Sequence, residues 1–232
     1  MQLIWQGILD AIQLAAAGDR LVLAAAWRSF WISSLAVLTA ALIGMPLGSF
    51  LARVAFPGRR LLVTSVRAAM AVPTVFLGLV CYSLLSRRGP LGDADFLYTP
   101  WAIVIGELML ALPIIIGLTH GAIKSLDRRV FETAATLGAG PLFRWFTYLS
   151  EARTAVILAV MTAFARCVTE LGIAMMVGGN LKDRTRTLST ATAMETGRGE
   201  FSRGLAMGIL LLLIALTATV VIATLSRERD RE

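Results

Sequence analysis

Arg166 and Glu170 stand four residues apart inside an apolar stretch that runs from about Thr154 to Val177. Side chains at that spacing share a helix face, so the guanidinium and the carboxylate can pair. An ionised group at membrane depth is costly unless it faces a partner, protein interior or a water-filled route. Two readings follow. In the first, the pair lines a translocation pathway, with Arg166 offering positive charge to an anion and Glu170 holding that guanidinium or contacting a gate. In the second, it is an internal ion pair that locks a helix bundle. Glu107 and Arg67 also lie inside apolar stretches, where they read as a satisfied interhelical partner and a snorkelling side chain.

Other chemistries lack their residues. His120 is the sole histidine, and Cys81 and Cys167 are separated thiols within apolar stretches. They read as packing residues, and together with one histidine they cannot assemble a zinc site. Lys124-Ser125 follows Ile123 rather than the glycine that a phosphate-binding loop requires. No Gly-x-Ser-x-Gly elbow, His-Glu-x-x-His motif or second histidine is present. The chain is therefore expected not to be an enzyme, to bind no cofactor of its own and not to hydrolyse ATP by itself. Its formal charge of +7 is spread between hydrophobic stretches. That pattern reads as membrane topology rather than a surface that tracks nucleic acid.

The elements that must position these residues are membrane helices. Of 232 residues, 57% are hydrophobic and only 16% charged, which excludes an ordinary soluble domain, a disordered chain and a disulfide scaffold. The expected fold is all-α and polytopic. Its five spans run from about Trp27 to Ala52, Leu61 to Leu85 with Pro73 as a kink, Trp101 to Ile123 with Pro113 inside, Thr154 to Val177, and Leu205 to Leu225. Residues 1–26 read as an amphipathic helix at the interface and not as a cleaved signal, because Asp10 and Asp19 interrupt the apolar part. Residues 27–226 form the transmembrane domain and 227–232 a cytoplasmic tail. Cationic clusters at Arg53, Arg59 and Arg60 and from Lys124 to Arg129 favour an N-terminus outside. Ala40, Gly44 and Gly48, and again Gly204 and Gly208, permit close helix packing.

The longest inner segment, about residues 124–153, contains Phe131-Glu132-Thr133-Ala134-Ala135-Thr136-Leu137-Gly138-Ala139-Gly140-Pro141. It predicts a short helix capped by Asp127 and stopped by Gly and Pro, either a solvated linker or a docking element. Between spans four and five lie Gly178-Gly179-Asn180 and a hydroxyl-rich run from Thr185-Arg186 to Thr192. As an outer loop, it would donate neutral hydrogen bonds to a passing oxyanion or dock a partner. Asn180, Thr185 and Arg186 are the candidate contacts.

The inner segment resembles the coupling loop of ABC-importer permeases, whose pattern is Glu-Ala-Ala, three residues, then Gly. Glu132, Ala134 and Gly138 match, while Thr133 replaces the first alanine and Ser150-Glu151-Ala152 stands where many members carry Leu-Pro. Gly44-Met45-Pro46-Leu47-Gly48, Phe56-Pro57-Gly58-Arg59 and Pro73 resemble the molybdate, sulfate and tungstate permeases. Glu151-Ala152-Arg153, Thr169-Glu170-Leu171-Gly172 and Val177-Gly178-Gly179-Asn180 followed by Thr185-Arg186 are most similar to the tungstate-type branch. The resemblance implies a homodimer in a bacterial or archaeal cytoplasmic (inner) membrane. It also implies separate cytoplasmic ABC ATPase subunits that use ATP and Mg, and an extracytoplasmic oxyanion-binding protein. The coupling helix would be a lever whose small-residue face at Ala134 and Gly138 seats in an ATPase groove, with Glu132 at its start. Molybdate or sulfate is the alternative cargo. A membrane scaffold or an ATP-independent channel fits less well, because neither needs a docking loop.

Overall fold

The computed structural model describes residues 20–228 together with Trp5, Ile8 and Leu9. The interfacial helix expected over residues 1–26 lies mostly outside the described residues. Among the described residues, every regular element is helical. The first, α1 (Arg20–Arg53), has 34 residues and starts ahead of Trp27. At 1.5 Å per residue it is about 51 Å long, so its ends pass beyond a hydrocarbon core of about 30 Å.

The second apolar stretch is not one kinked helix. It folds as α2 (Arg59–Ala69) and α3 (Thr74–Leu85), which meet at a 102° bend. Pro73 stands just before α3 at φ −60°, ψ 130°. A proline lacks the N–H that a helix interior needs and biases its predecessor away from helix, so it opens a helix more readily than it continues one. After a 3-10 turn at Gly92–Ala94, α4 (Pro100–Lys124) crosses the bundle with Pro113 inside. Two short helices follow, α5 (Arg128–Thr136) and α6 (Pro141–Glu151). The fourth stretch is also broken, into α7 (Arg153–Val168) and α8 (Gly172–Gly178), bent by 56°. α9 (Leu188–Gly197) and α10 (Phe201–Glu228) complete the chain. Among the described residues, three helices are long and apolar enough to cross a bilayer, rising to five if each bent pair is one span.

The core forms around α4. Ile32, Ala36 and Ala40 of α1 pack with Ile103, Ala111 and Ile115 of α4, Ala163 and Cys167 of α7, and Ile173 and Val177 of α8. Glycine sets the closest approach: a Cβ on Gly48 would lie 2.8 Å from the Ile116 carbonyl oxygen, and one on Gly44 3.0 Å from Ile115 Cγ2. The two broken stretches also meet each other. A Cβ on Gly172 would lie 3.1 Å from Val75 Cγ2, and one on Gly78 3.3 Å from the Gly172 carbonyl oxygen. Cys81 and Cys167 are buried free thiols and fill space as expected. Leu38, Leu42, Leu212 and Leu216 stand exposed on the outside, as they must on a surface solvated by lipid.

Candidate functional site

Asp127 starts α5 by accepting a hydrogen bond from the Arg129 N–H at 2.9 Å, which satisfies one of the donors left open in a helix's first turn. Glu132 accepts from Arg128 Nε at 2.6 Å on the exposed side. Phe131 and Ala134 turn inward and are buried with Ile123, Tyr148, Ala152 and Val156. The Phe131 and Tyr148 rings meet edge to face at 4.7 Å, and the Arg53 guanidinium lies 3.4 Å from the Phe131 ring centroid. This cation–π contact ties the short helix to the end of α1. The next helix, α6, has its own tie to α1: Trp145 Nε1 donates to Ser49 Oγ at 3.0 Å.

Gly138 ends the helix at φ +71°, with its N–H on the Ala135 carbonyl and the Ala139 N–H on the Ala134 carbonyl. The left-handed conformation favours glycine because a Cβ would crowd the backbone. Arg144 Nε donates to the Ala139 carbonyl at 2.7 Å and closes the turn. Of the residues expected to form a docking face, Glu132 and Gly138 point outward, whereas Ala134 does not. Its methyl group lets α5 lie against the bundle, and the outward ridge consists of Glu132, Thr133, Thr136 and Leu137.

Arg166 occupies the last turn of α7, and Glu170 sits in the break beyond it. The two are therefore not on one continuous helix, yet they pair: Arg166 Nη1 donates to Glu170 Oε2 at 2.9 Å. Glu170 also accepts the Ile173 N–H on Oε1 at 3.2 Å, and its carbonyl accepts from Ser189 Oγ at 2.8 Å. One residue thus joins α7, α8 and α9. The pair is asymmetric, with the Arg166 side chain 45% exposed and that of Glu170 2%. Leu158, Thr162, Arg166 and Thr169 form an exposed stripe along α7. Glu107, read as a satisfied partner, is buried with Oε2 lacking a hydrogen bond.

The loop after α8 is built from its own hydroxyls. Gly179 and Asn180 turn the chain at φ +68° and +49°. Thr185, fully buried, donates to the Gly178 carbonyl at 2.5 Å and accepts from the Leu181 N–H at 2.9 Å. Arg186 Nε donates to Asn180 Oδ1 at 3.2 Å, while the Arg186 carbonyl accepts from Arg28 Nε at 2.9 Å. Thr187 and Thr190 cap α9 reciprocally, and the Leu188 N–H donates to Ser29 Oγ at 2.9 Å. The run from Thr185 to Thr190 is therefore not an array of open donors for an oxyanion, because folding the loop uses those groups. Arg28, Ser29 and Ser189 were missed from the sequence as the anchors of this loop. The polar serines of α1, out of place in an apolar helix, were the available signal.

Comparison with known proteins bears on this arrangement as a whole. A family model described as binding-protein-dependent transport system inner membrane component matches residues 44–231. The chain is 36% identical, over 98% of its length and all of the relative's, to the tungstate uptake system permease protein TupB of Peptoclostridium acidaminophilum. It is 37% identical to TupB of Campylobacter jejuni, over 97% of this chain and 94% of that one. It is 29% identical to the molybdenum transport system permease protein ModB of Escherichia coli K12, over 87% of this chain and 93% of that one. Among solved structures, a chain of the inward-facing MetNI methionine ABC transporter matches with a TM-score of 0.70 at 18% identity, over 90% of this chain and 97% of that one. A chain of a bacterial ABC transporter for alginate import matches with a TM-score of 0.71 at 17% identity, over 89% and 79% respectively. Those two likenesses concern the fold alone, which is that of an ABC importer permease.

Proposed function

The chain belongs to the family of binding-protein-dependent transport system inner membrane components, and from that premise we propose that it is the permease subunit of an ATP-driven tungstate importer. The observation that carries the cargo is the identity of 36–37% to two tungstate uptake permeases over nearly the whole chain. In this reading each bent pair is one span. Five spans then cross the cytoplasmic membrane with the N-terminus outside, and the coupling segment and the tail from 227 are cytoplasmic. ATP and Mg act in a partner ATPase. A binding protein delivers the anion from outside.

The geometry supports a mechanical route between the two ends. An ATPase gripping the ridge of Glu132, Thr133 and Leu137 would move α5, which is fastened to the inner end of α1 through Arg53 on Phe131, while the adjoining α6 is fastened there through Trp145 on Ser49. α1 packs on α4 with the glycine contacts noted above, and its outer part holds Leu188 through Ser29 and the Arg186 carbonyl through Arg28. Movement at the coupling helix would therefore reach the loop after α8 through one rigid rod, which suits alternating access. Asn180, Thr185 and Arg186 take the role of shaping that loop.

Arg166 supports a second chain. A guanidinium nearly half exposed on a spanning helix must face water or protein rather than acyl chains. A homodimer that brings the stripe of Thr162, Arg166 and Thr169 to its axis gives both, and places two cationic groups where a dianion would pass. Reconstituted permease, with its ATPase and binding protein, should show ATP hydrolysis stimulated by tungstate at lower concentration than by molybdate or sulfate. Stronger stimulation by molybdate would keep the mechanism and change the cargo. No stimulation by any oxyanion would refute the reading.

A further inference from the structure

One cavity among the described residues has no cargo or ATPase contact assigned to it above. It is a groove of about 880 Å³ between the end of α1 and α6, with Pro46, Phe50, Leu142 and Trp145 among its apolar lining residues. Two of its lining residues are charged, and both are cations, Arg53 and Arg144. Neither guanidinium is paired with a carboxylate in the groove. Arg53 rests on the Phe131 ring, and Arg144 uses Nε on the Ala139 carbonyl, which leaves further N–H donors on each planar fork.

The depth of the groove is set by α1. Trp31 and Arg53 are separated by about 33 Å along the helix, the thickness of a hydrocarbon core, so an interfacial tryptophan at one end places Arg53 at headgroup level on the other. On α6, Leu142 (63% exposed), Phe143 (74%) and Phe146 (55%) form an exposed apolar face of the kind that seats a helix in a membrane interface. A cationic rim at headgroup depth above an apolar floor has the chemistry of one ligand, an anionic lipid. We propose that this groove binds an anionic phospholipid of the adjoining leaflet, its phosphate between Arg53 and Arg144 and an acyl chain along Pro46, Phe50 and Leu142. The site adjoins the contacts that fasten α5 and α6 to α1, so an occupied groove stiffens the link between the coupling segment and α1. The inference rests on the proposed function only in taking this leaflet as the inner one.

The test is native mass spectrometry of the intact permease–ATPase complex, titrated with phosphatidylglycerol and with phosphatidylcholine of the same acyl chains. Two arginines at headgroup depth should favour the anionic lipid by about 30-fold. Arg144→Gln should reduce that preference about fivefold. Leu142→Glu, at an exposed position where folding is undisturbed, should abolish it by setting a carboxylate beside the phosphate. Equal retention of the two lipids, or a preference unchanged by Leu142→Glu, would overturn the proposal. Displacement of phosphatidylglycerol by millimolar inorganic phosphate would also overturn it, since the groove would then recognise a free anion. Disulfide trapping of Leu142→Cys by an ATPase subunit or a second permease copy would show a protein occupant instead. Binding is read without transport, so failure of tungstate to stimulate hydrolysis would leave this result standing, and the reverse also holds.

Discussion

The asymmetry of the Arg166–Glu170 pair makes a quantitative prediction. In Arg166→Gln the carboxyl group of Glu170, 2% exposed, loses its counter-ion in the interior. Removing one partner of a buried pair in this way costs about 3 kcal/mol. In Glu170→Gln an amide oxygen still accepts the Ile173 N–H, and Arg166, 45% exposed, is hydrated, so the cost is about 1 kcal/mol. The double variant carries two neutral amides within reach of each other and should also lose only about 1 kcal/mol, giving a coupling energy of about 3 kcal/mol. For a chain of this size, Arg166→Gln should lower the thermal midpoint by roughly 6–12 °C, and Glu170→Gln and the double variant by roughly 2–4 °C. Tryptophan fluorescence of the detergent-solubilised permease measures all of them. A double variant as unstable as the sum of the singles, or Glu170→Gln less stable than Arg166→Gln, would refute the reasoning. Uptake by the double variant then separates the two roles. If transport stays lost after stability returns, Arg166 acts on the anion; if transport returns too, the pair is a lock.

Three further outcomes follow from local geometry. Gly138→Val places a branched side chain at φ +71° with no neighbour to clash with, so its cost of about 1–2 kcal/mol falls on the turn alone. ATPase stimulation by loaded binding protein should drop while expression and assembly persist, and unchanged stimulation and uptake would contradict the coupling role. Gly48→Ala should destabilise more than Gly44→Ala, by about 1–3 kcal/mol. The added methyl at 48 meets the Ile116 carbonyl oxygen at 2.8 Å, whereas that at 44 meets side-chain carbons of Ile115 and Ile116, the nearest at 3.0 Å; equal midpoints in thermal unfolding would contradict it. Thr185→Val removes both hydrogen bonds of a buried hydroxyl and should cost about 1–3 kcal/mol, with Thr185→Ser near wild type. If Thr185→Val lowered uptake without lowering the thermal midpoint, the hydroxyl would contact cargo rather than hold the loop.

The short helix α5 was legible in the sequence because its signals are local. Asp127 three residues before Val130, Gly138 after Leu137 and Pro141 beyond it report the start and stop of α5 through groups within one turn of each other. The apolar stretches were legible for the same reason, since crossing a bilayer is a property of some 20 consecutive residues. Broken spans are not local in this sense. Met70 to Val72 and Thr169 to Leu171 carry no helix-ending pattern of their own beyond Pro73, and they open because the two breaks pack on one another through Gly78, Gly172 and Val75.

Side-chain direction was the other quantity that hydropathy and motif spacing left open. Ala134 matches the coupling pattern but faces Phe131 and Tyr148, and the hydroxyls from Thr185 to Thr190 close their own loop. Both facts depend on residues far away in the chain, such as Ser29, Ser49 and Arg53. The sequence by itself determined a membrane permease with a short capped helix at Arg128–Thr136, because length, hydropathy, caps and a matched motif are all written along the chain. The tertiary structure decided which members of those motifs face outward, where the spans break, and that Glu170 joins α7, α8 and α9. Each of those turns on contacts between segments that no window of sequence contains.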